Sequence, residues 1–131
     1  MFKLFLVSTL FISSIYAGSI NWSKENLDDT IEKLSDKKQK IVMAYFWLEG
    51  CNACEYMSDR VFNDDEVSEY INKNFISFKT NKIPMDYPVF AYPTIYFIDE
   101  DGNELGDPIM GAKNLDEFMF TIEEIKEKFS N

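Results

Sequence analysis

Two cysteines, Cys51 and Cys54, stand in Trp47-Leu48-Glu49-Gly50-Cys51-Asn52-Ala53-Cys54, and they are the only cysteines of the 131-residue chain. Thiols two residues apart on one helical turn can close a disulfide and reopen it by exchange. The apolar run before them, Ile41 to Trp47, reads as a buried strand. After Cys54 the apolar residues Met57, Val61 and Phe62 recur three to four apart, which is helical spacing. The pair therefore sits where a strand hands over to a helix. Cys51 falls at the helix N-terminus, where unpaired N–H groups and the macrodipole favour a thiolate, and is the candidate attacking thiol. Cys54 lies a turn further in, should be more buried, and is the candidate resolving thiol. Two readings compete. One is a static structural disulfide, although so small a loop closes little chain entropy. The other is a metal half-site shared across a dimer.

Composition narrows the chemistry. The chain has no histidine, which removes the usual general base and the usual metal ligand. With two cysteines and no histidine, a tetrahedral zinc site within one chain is not expected, and no metal or cofactor is expected beyond the redox-active disulfide itself. The net charge of −10 disfavours a nucleic-acid partner, since no basic patch meets phosphates. Hydrophobic residues make up 46% of the chain, enough for one packed domain.

The elements that must position the cysteines follow from periodicity. Ile20-Asn21-Trp22 reads as a short edge strand. Ser23 is the expected cap of a helix carrying Leu27, Ile31 and Leu34, which exits through Lys37-Lys38-Gln39-Lys40. Beyond the cysteine helix a break is expected near Asn63-Asp64, before a second helix with Val67, Tyr70 and Ile71. Phe75 to Thr80 reads as a strand. The connection from Asn81 to Tyr92 has room for one helical turn, around Asp86 to Phe90. Thr94 to Asp99 is a strand, Asp101-Gly102 a hairpin turn, and Glu104 to Met110 a returning edge strand, the place where Pro108 is tolerated. Asn114 caps a last helix with Leu115, Phe118, Ile122, Ile125 and Phe129 on one face. The order β-α-β-α-β-β-α gives an α/β fold with a mixed central sheet.

Phe46-Trp47, the acidic Glu49 and Cys51-Asn52-Ala53-Cys54, followed later by Tyr92-Pro93-Thr94-Ile95-Tyr96-Phe97-Ile98, resemble the thioredoxin superfamily over roughly residues 40 to 126. The resemblance implies a thioredoxin-like fold with helices on both faces of the sheet and thiol–disulfide oxidoreductase activity. It implies a cis bond before Pro93, which brings the Tyr92 backbone beside Cys51 to pair with a substrate strand. It also places Trp47 under the redox loop. Two positions depart from the pattern. Typical cytosolic thioredoxins carry a buried Asp where Tyr45 stands, and Lys79 occupies the place of that Asp's lysine partner, within reach of the Tyr45 hydroxyl. Gly50 stands where thioredoxins usually have Trp, so the rim is less apolar and partner choice should differ; Met57, Met85, Tyr87 and Tyr92 are candidates to replace that surface. Glu49, Ala44-Tyr45-Phe46 and Glu55-Tyr56-Met57 resemble an exported bacterial subgroup that includes periplasmic reductants.

Residues 1–17 read as a signal peptide rather than part of the domain at 18–131. Lys3 gives the positive start, Leu4 to Ile15 the apolar run, and Ala17-Gly18 the cleavage point. Export places the cysteines in a periplasmic or secreted, oxidising setting. The expected function is a monomeric periplasmic reductase of protein disulfides, exchanging with protein thiols and kept reduced by a membrane electron donor. The competing functions are a disulfide oxidant or isomerase, and a non-catalytic thioredoxin-fold binding module. Asn52-Ala53 supplies no group to stabilise a thiolate, and Glu49 opposes one, which favours the reductase.

Overall fold

The apolar run that leads to the cysteines forms the inner strand of a four-stranded sheet. The structure is a computed structural model that describes residues 18–130. The signal-peptide reading of residues 1–17 lies outside the described residues. β1 (Val42–Phe46) pairs in parallel with β2 (Ile76–Thr80) and antiparallel with β3 (Thr94–Ile98). β4 (Ile109–Met110) pairs antiparallel with β3, giving the order β2-β1-β3-β4. Every residue of β1 and β3 is buried, because helices and loops cover both faces of the sheet.

Side-chain alternation divides the core into two layers. Met43 and Tyr45 of β1, with Ile95 and Phe97 of β3, face Met57, Val61, Phe62, Val67, Ile71, Phe118 and Ile122. Those partners come from the cysteine helix and its extension, from α3 (Asp65–Asn74) and from α4 (Leu115–Phe129). Val42, Ala44 and Phe46 point the other way, toward Leu34, Phe78, Tyr87, Tyr96 and Ile98. On that face lies α1 (Leu27–Glu32), continued by a 3-10 turn over Lys33–Asp36. Lys40 closes this helical end as a cation should, its Nζ donating to the Leu34 carbonyl at 2.9 Å.

Several local expectations are corrected. Asn26, not Ser23, caps α1, its side chain accepting from the Asp29 N–H at 2.9 Å. The Ser23 hydroxyl is engaged with Thr30 Oγ1 instead. Ile20-Asn21-Trp22 supplies one bridge, Trp22 to Ser77, rather than a strand. Residues 86–90 are not helical. Pro88 would sit inside such a turn, where it lacks a donor and drives the preceding residue toward extended backbone. Tyr87 fills the space with its ring, packed against Tyr96 and donating to the Gly102 carbonyl at 2.8 Å. The returning strand is shorter than Glu104 to Met110. Glu104 bridges Ile98, the chain then turns at Gly106 with φ 69°, and pairing resumes only at Ile109.

The candidate active site

β1 ends at Phe46 and delivers Trp47, Leu48, Glu49 and Gly50 as the link to the cysteines. Gly50 has φ 70°, a left-handed conformation open to glycine and strained for other residues. That backbone requirement explains glycine here as directly as any choice of rim chemistry. α2 (Asn52–Tyr56) begins at once, with Cys51 as its N-cap. The Cys51 Sγ accepts the Cys54 N–H at 3.1 Å, so the sulfur takes the place a capping oxygen usually fills. Cys51 and Cys54 are joined as a disulfide. Their environments differ: Cys51 is half-buried, whereas Cys54 is 4% exposed.

α2 runs without a break into a wide π turn over Met57–Phe62. Such turns widen a helix and recur at functional sites. Met57 faces inward at the junction and its Sδ accepts from the Lys113 N–H at 3.4 Å. Met57 and Tyr87 are both buried, so they do not replace the rim surface as the sequence suggested. Met85 is 98% exposed and Tyr92 half-buried.

A cleft of about 480 Å³ opens beside the disulfide on the Cys54 side. Tyr45, Trp47, Glu49, Gly50 and Lys79 all line it, together with Cys54. Five residues singled out from the sequence around the cysteines thus converge on one surface. The Tyr45 hydroxyl donates to the Cys54 carbonyl at 3.3 Å. Burial pushes the Tyr45 phenol up from 10.0 to about 12, so it stays protonated at neutral pH. Lys79 does not hydrogen-bond to that hydroxyl among the described residues. Its Nζ lies 5.1 Å from the centre of the Trp22 ring, a cation–π arrangement.

Trp22 is the residue that sequence reasoning missed. Its ring stacks on Tyr45 with centroids 5.9 Å apart and meets Phe62 edge-on at 5.7 Å. Nothing in the local pattern signals this role. It depends on the parallel bridge to Ser77, which brings distant parts of the chain together.

Tyr92 packs on the core layer opposite to that of Tyr45, and Pro93 beside it is buried. The Tyr92–Pro93 peptide bond is cis. The Gly111 N–H donates to the Pro93 carbonyl at 2.8 Å. The next residue, Thr94, pairs with Phe46, so this segment lies at the end of the sheet from which the redox link departs. Neither Tyr92 nor Pro93 lines the Cys54 cleft. Among the described residues no group of three or more His, Cys, Asp or Glu side chains is arranged to hold a metal ion.

The sequence matches the thioredoxin-like domain family over residues 27–126. No curated protein matches it. Among solved structures the fold is similar to that of a DsbH oxidoreductase, at 17% identity over 87% of this chain and 89% of that one, with a TM-score of 0.66. It is similar to the reduced DsbD C-terminal domain of Neisseria meningitidis, at 22% identity over 75% and 92% of the two chains, with a TM-score of 0.62. A thioredoxin from Thermus thermophilus aligns at 22% identity over 82% and 87%, with a TM-score of 0.64. The chain belongs to the thioredoxin-like domain family, and its Cys51–Cys54 pair equips it as a thiol–disulfide oxidoreductase.

Proposed function

We propose that the protein is an exported reductase of protein disulfides, in which Cys51 attacks and Cys54 resolves. The observation that carries the division of labour is the unequal burial of the two sulfurs. Cys51 is half-buried and caps the helix, receiving an N–H from Cys54, while Cys54 is almost fully buried at the edge of a cleft. A partner disulfide reaches the outer sulfur first. The mixed disulfide then brings its bond within reach of the inner one.

The direction rests on what surrounds the thiols. Only Asn52 and Ala53 stand between the cysteines and the chain has no histidine. Glu49 and Glu55 flank the pair and both are exposed. A thiolate without cationic support is less stabilised, which weakens the disulfide as an oxidant and favours electron donation. Tyr92 and Pro93, at the end of the sheet from which the redox link leaves, are the proposed contact for an extended substrate segment, with Gly50 on the opposite rim. Trp47 supports the redox link from beneath, being packed against the core.

The periplasmic or secreted location rests on the charged, apolar and small-residue order of residues 1–17. In an oxidising compartment a reductase needs a dedicated donor, and a membrane electron donor is the proposed source. No helix among the described residues is long and apolar enough to cross a membrane; the protein is proposed to act as a monomer.

Trapping tests the roles. The Cys54→Ser variant leaves the attacking thiol without its resolver and should accumulate mixed disulfides with partner proteins, visible on non-reducing gels. Cys51→Ser should accumulate none. Equal trapping by both variants contradicts the assignment.

A further inference from the structure

The resolving thiol must lose a proton before it attacks, so its surroundings must offer an acceptor. Among the described residues the buried polar side chains are Thr30, Ser68, Ser77 and Thr94, so no buried carboxylate stands behind Cys54. Tyr45 of β1 is the polar group that touches the Cys54 backbone, but burial raises its phenol to about 12. It holds its own proton and cannot act as a base near neutrality. What Cys54 does have is the cleft of about 480 Å³ along which it lies. Four other titratable groups face that space: Tyr45 from β1, Glu49 from the link, Glu55 from α2 and Lys79 from β2.

Tyr45 reaches the same turn from the sheet. Its hydroxyl donates to the Cys54 carbonyl, which also receives the Met57 N–H where α2 gives way to the wide turn. The Tyr45 ring is itself fixed, stacked on Trp22 and set edge-on to Phe62 at 5.0 Å. A rigid aromatic group thus ties the strand to the backbone of the resolving cysteine at the point where the helix changes its winding.

We propose that water in this cleft takes the proton of Cys54 in the resolving step, and that Tyr45 is the positioning residue that holds Cys54 against the cleft. The idea rests on the roles given above to Cys51 and Cys54. In the step, Cys54 gives its proton to water and its sulfur forms a bond with the Cys51 sulfur. The bond from Cys51 to the partner sulfur breaks, and the partner leaves as a thiolate that takes up a proton from solvent. The cysteine pair loses two electrons in the whole exchange, and the partner disulfide gains them.

The test is a stopped-flow reaction of the reduced protein with an aromatic disulfide dye, dithionitrobenzoate. The first dye thiolate is released when Cys51 attacks and the second when Cys54 resolves. Tyr45→Phe keeps the stacked ring and removes only the hydroxyl. It should slow the second release about fivefold, equivalent to one hydrogen bond of about 1 kcal/mol, and leave the first within about twofold. Because the phenol does not titrate there, the ratio to wild type should stay constant from about pH 6 to about pH 9. Raising imidazole buffer at fixed pH and ionic strength should speed the second release, also in Glu49→Gln and Glu55→Gln. The proposal is overturned if Tyr45→Phe leaves the second release unchanged or slows both alike. It is also overturned if imidazole has no effect, or if Glu49→Gln or Glu55→Gln slows the second release severalfold and imidazole restores it, since a carboxylate then carries the proton. If Cys54→Ser still shows both releases, the assignment of the resolving thiol has failed instead.

Discussion

Tyr45 is the buried residue whose hydroxyl reaches the backbone of Cys54, and its ionisation gives a direct physical handle. The phenol titrates at 10.0 when unfolded and at about 12 in the fold, because burial disfavours the charged form. The folded state therefore holds a proton that the unfolded state has released between those two values. The sign of the linkage follows: this contribution is fully present below pH 10.0 and is lost as pH rises toward about 12. Tyr45→Phe has no such proton to lose. Its melting temperature relative to wild type should be constant through neutral pH and should rise in that alkaline window. A wild-type and variant gap that does not change with pH there contradicts the assigned burial of the hydroxyl.

Among the elements, the helices that position the site depend on local caps, while the loop before Pro93 is held by Tyr87, which donates to the Gly102 carbonyl, and by Tyr96, which donates to the Pro88 carbonyl. Asp64 accepts from the Val67 N–H at 3.0 Å and starts α3 just after the wide turn. Asp64→Ala should cost about 1 kcal/mol of stability by denaturant titration. An unchanged midpoint contradicts that role. In the 81–92 connection, Met85 and Phe90 are 98% and 88% exposed, so Met85→Ser and Phe90→Ser should each stay within about 0.5 kcal/mol of wild type. A larger loss would mean that the segment packs elsewhere. These elements also show what a sequence can disclose. The strand into Trp47, the cysteine helix, the break at Asn63-Asp64 and the last helix all announce themselves by apolar spacing and a capping residue, which are local signals. The Cys-bearing junction is therefore legible, whereas the places of Tyr45 and Trp47 beside it follow from the family resemblance and not from spacing. The wide turn over Met57–Phe62 carries no distinct spacing, since Met57, Val61 and Phe62 suit an ordinary helix equally well. Trp22 joins the site only through a parallel bridge to Ser77, and parallel register across a long crossover is not written in the neighbouring residues. Ser23 and Asn26 both have capping side chains, and packing of Ser23 on Thr30 decided between them.

At the scale of the whole molecule, an acidic domain carries the redox pair, and the proposal is that it is exported and gives electrons away. Export makes its own prediction: the protein recovered from an exporting host should begin at Gly18 by mass spectrometry. An intact chain from Met1 in the cytoplasm contradicts the location. The central claim concerns the direction of electron flow. A stabilised thiolate stabilises the reduced form and makes the disulfide a stronger oxidant. Here no histidine is present and Asn52-Ala53 adds no cation, while Glu49 and Glu55 stand beside the pair. The most direct measurement is the equilibrium reduction potential of the Cys51–Cys54 pair against glutathione and dithiothreitol buffers. The account predicts a value near the about −270 mV of a reducing thioredoxin. A value above about −150 mV, toward the about −120 mV of a strong oxidant, contradicts it and makes the protein an oxidant of thiols.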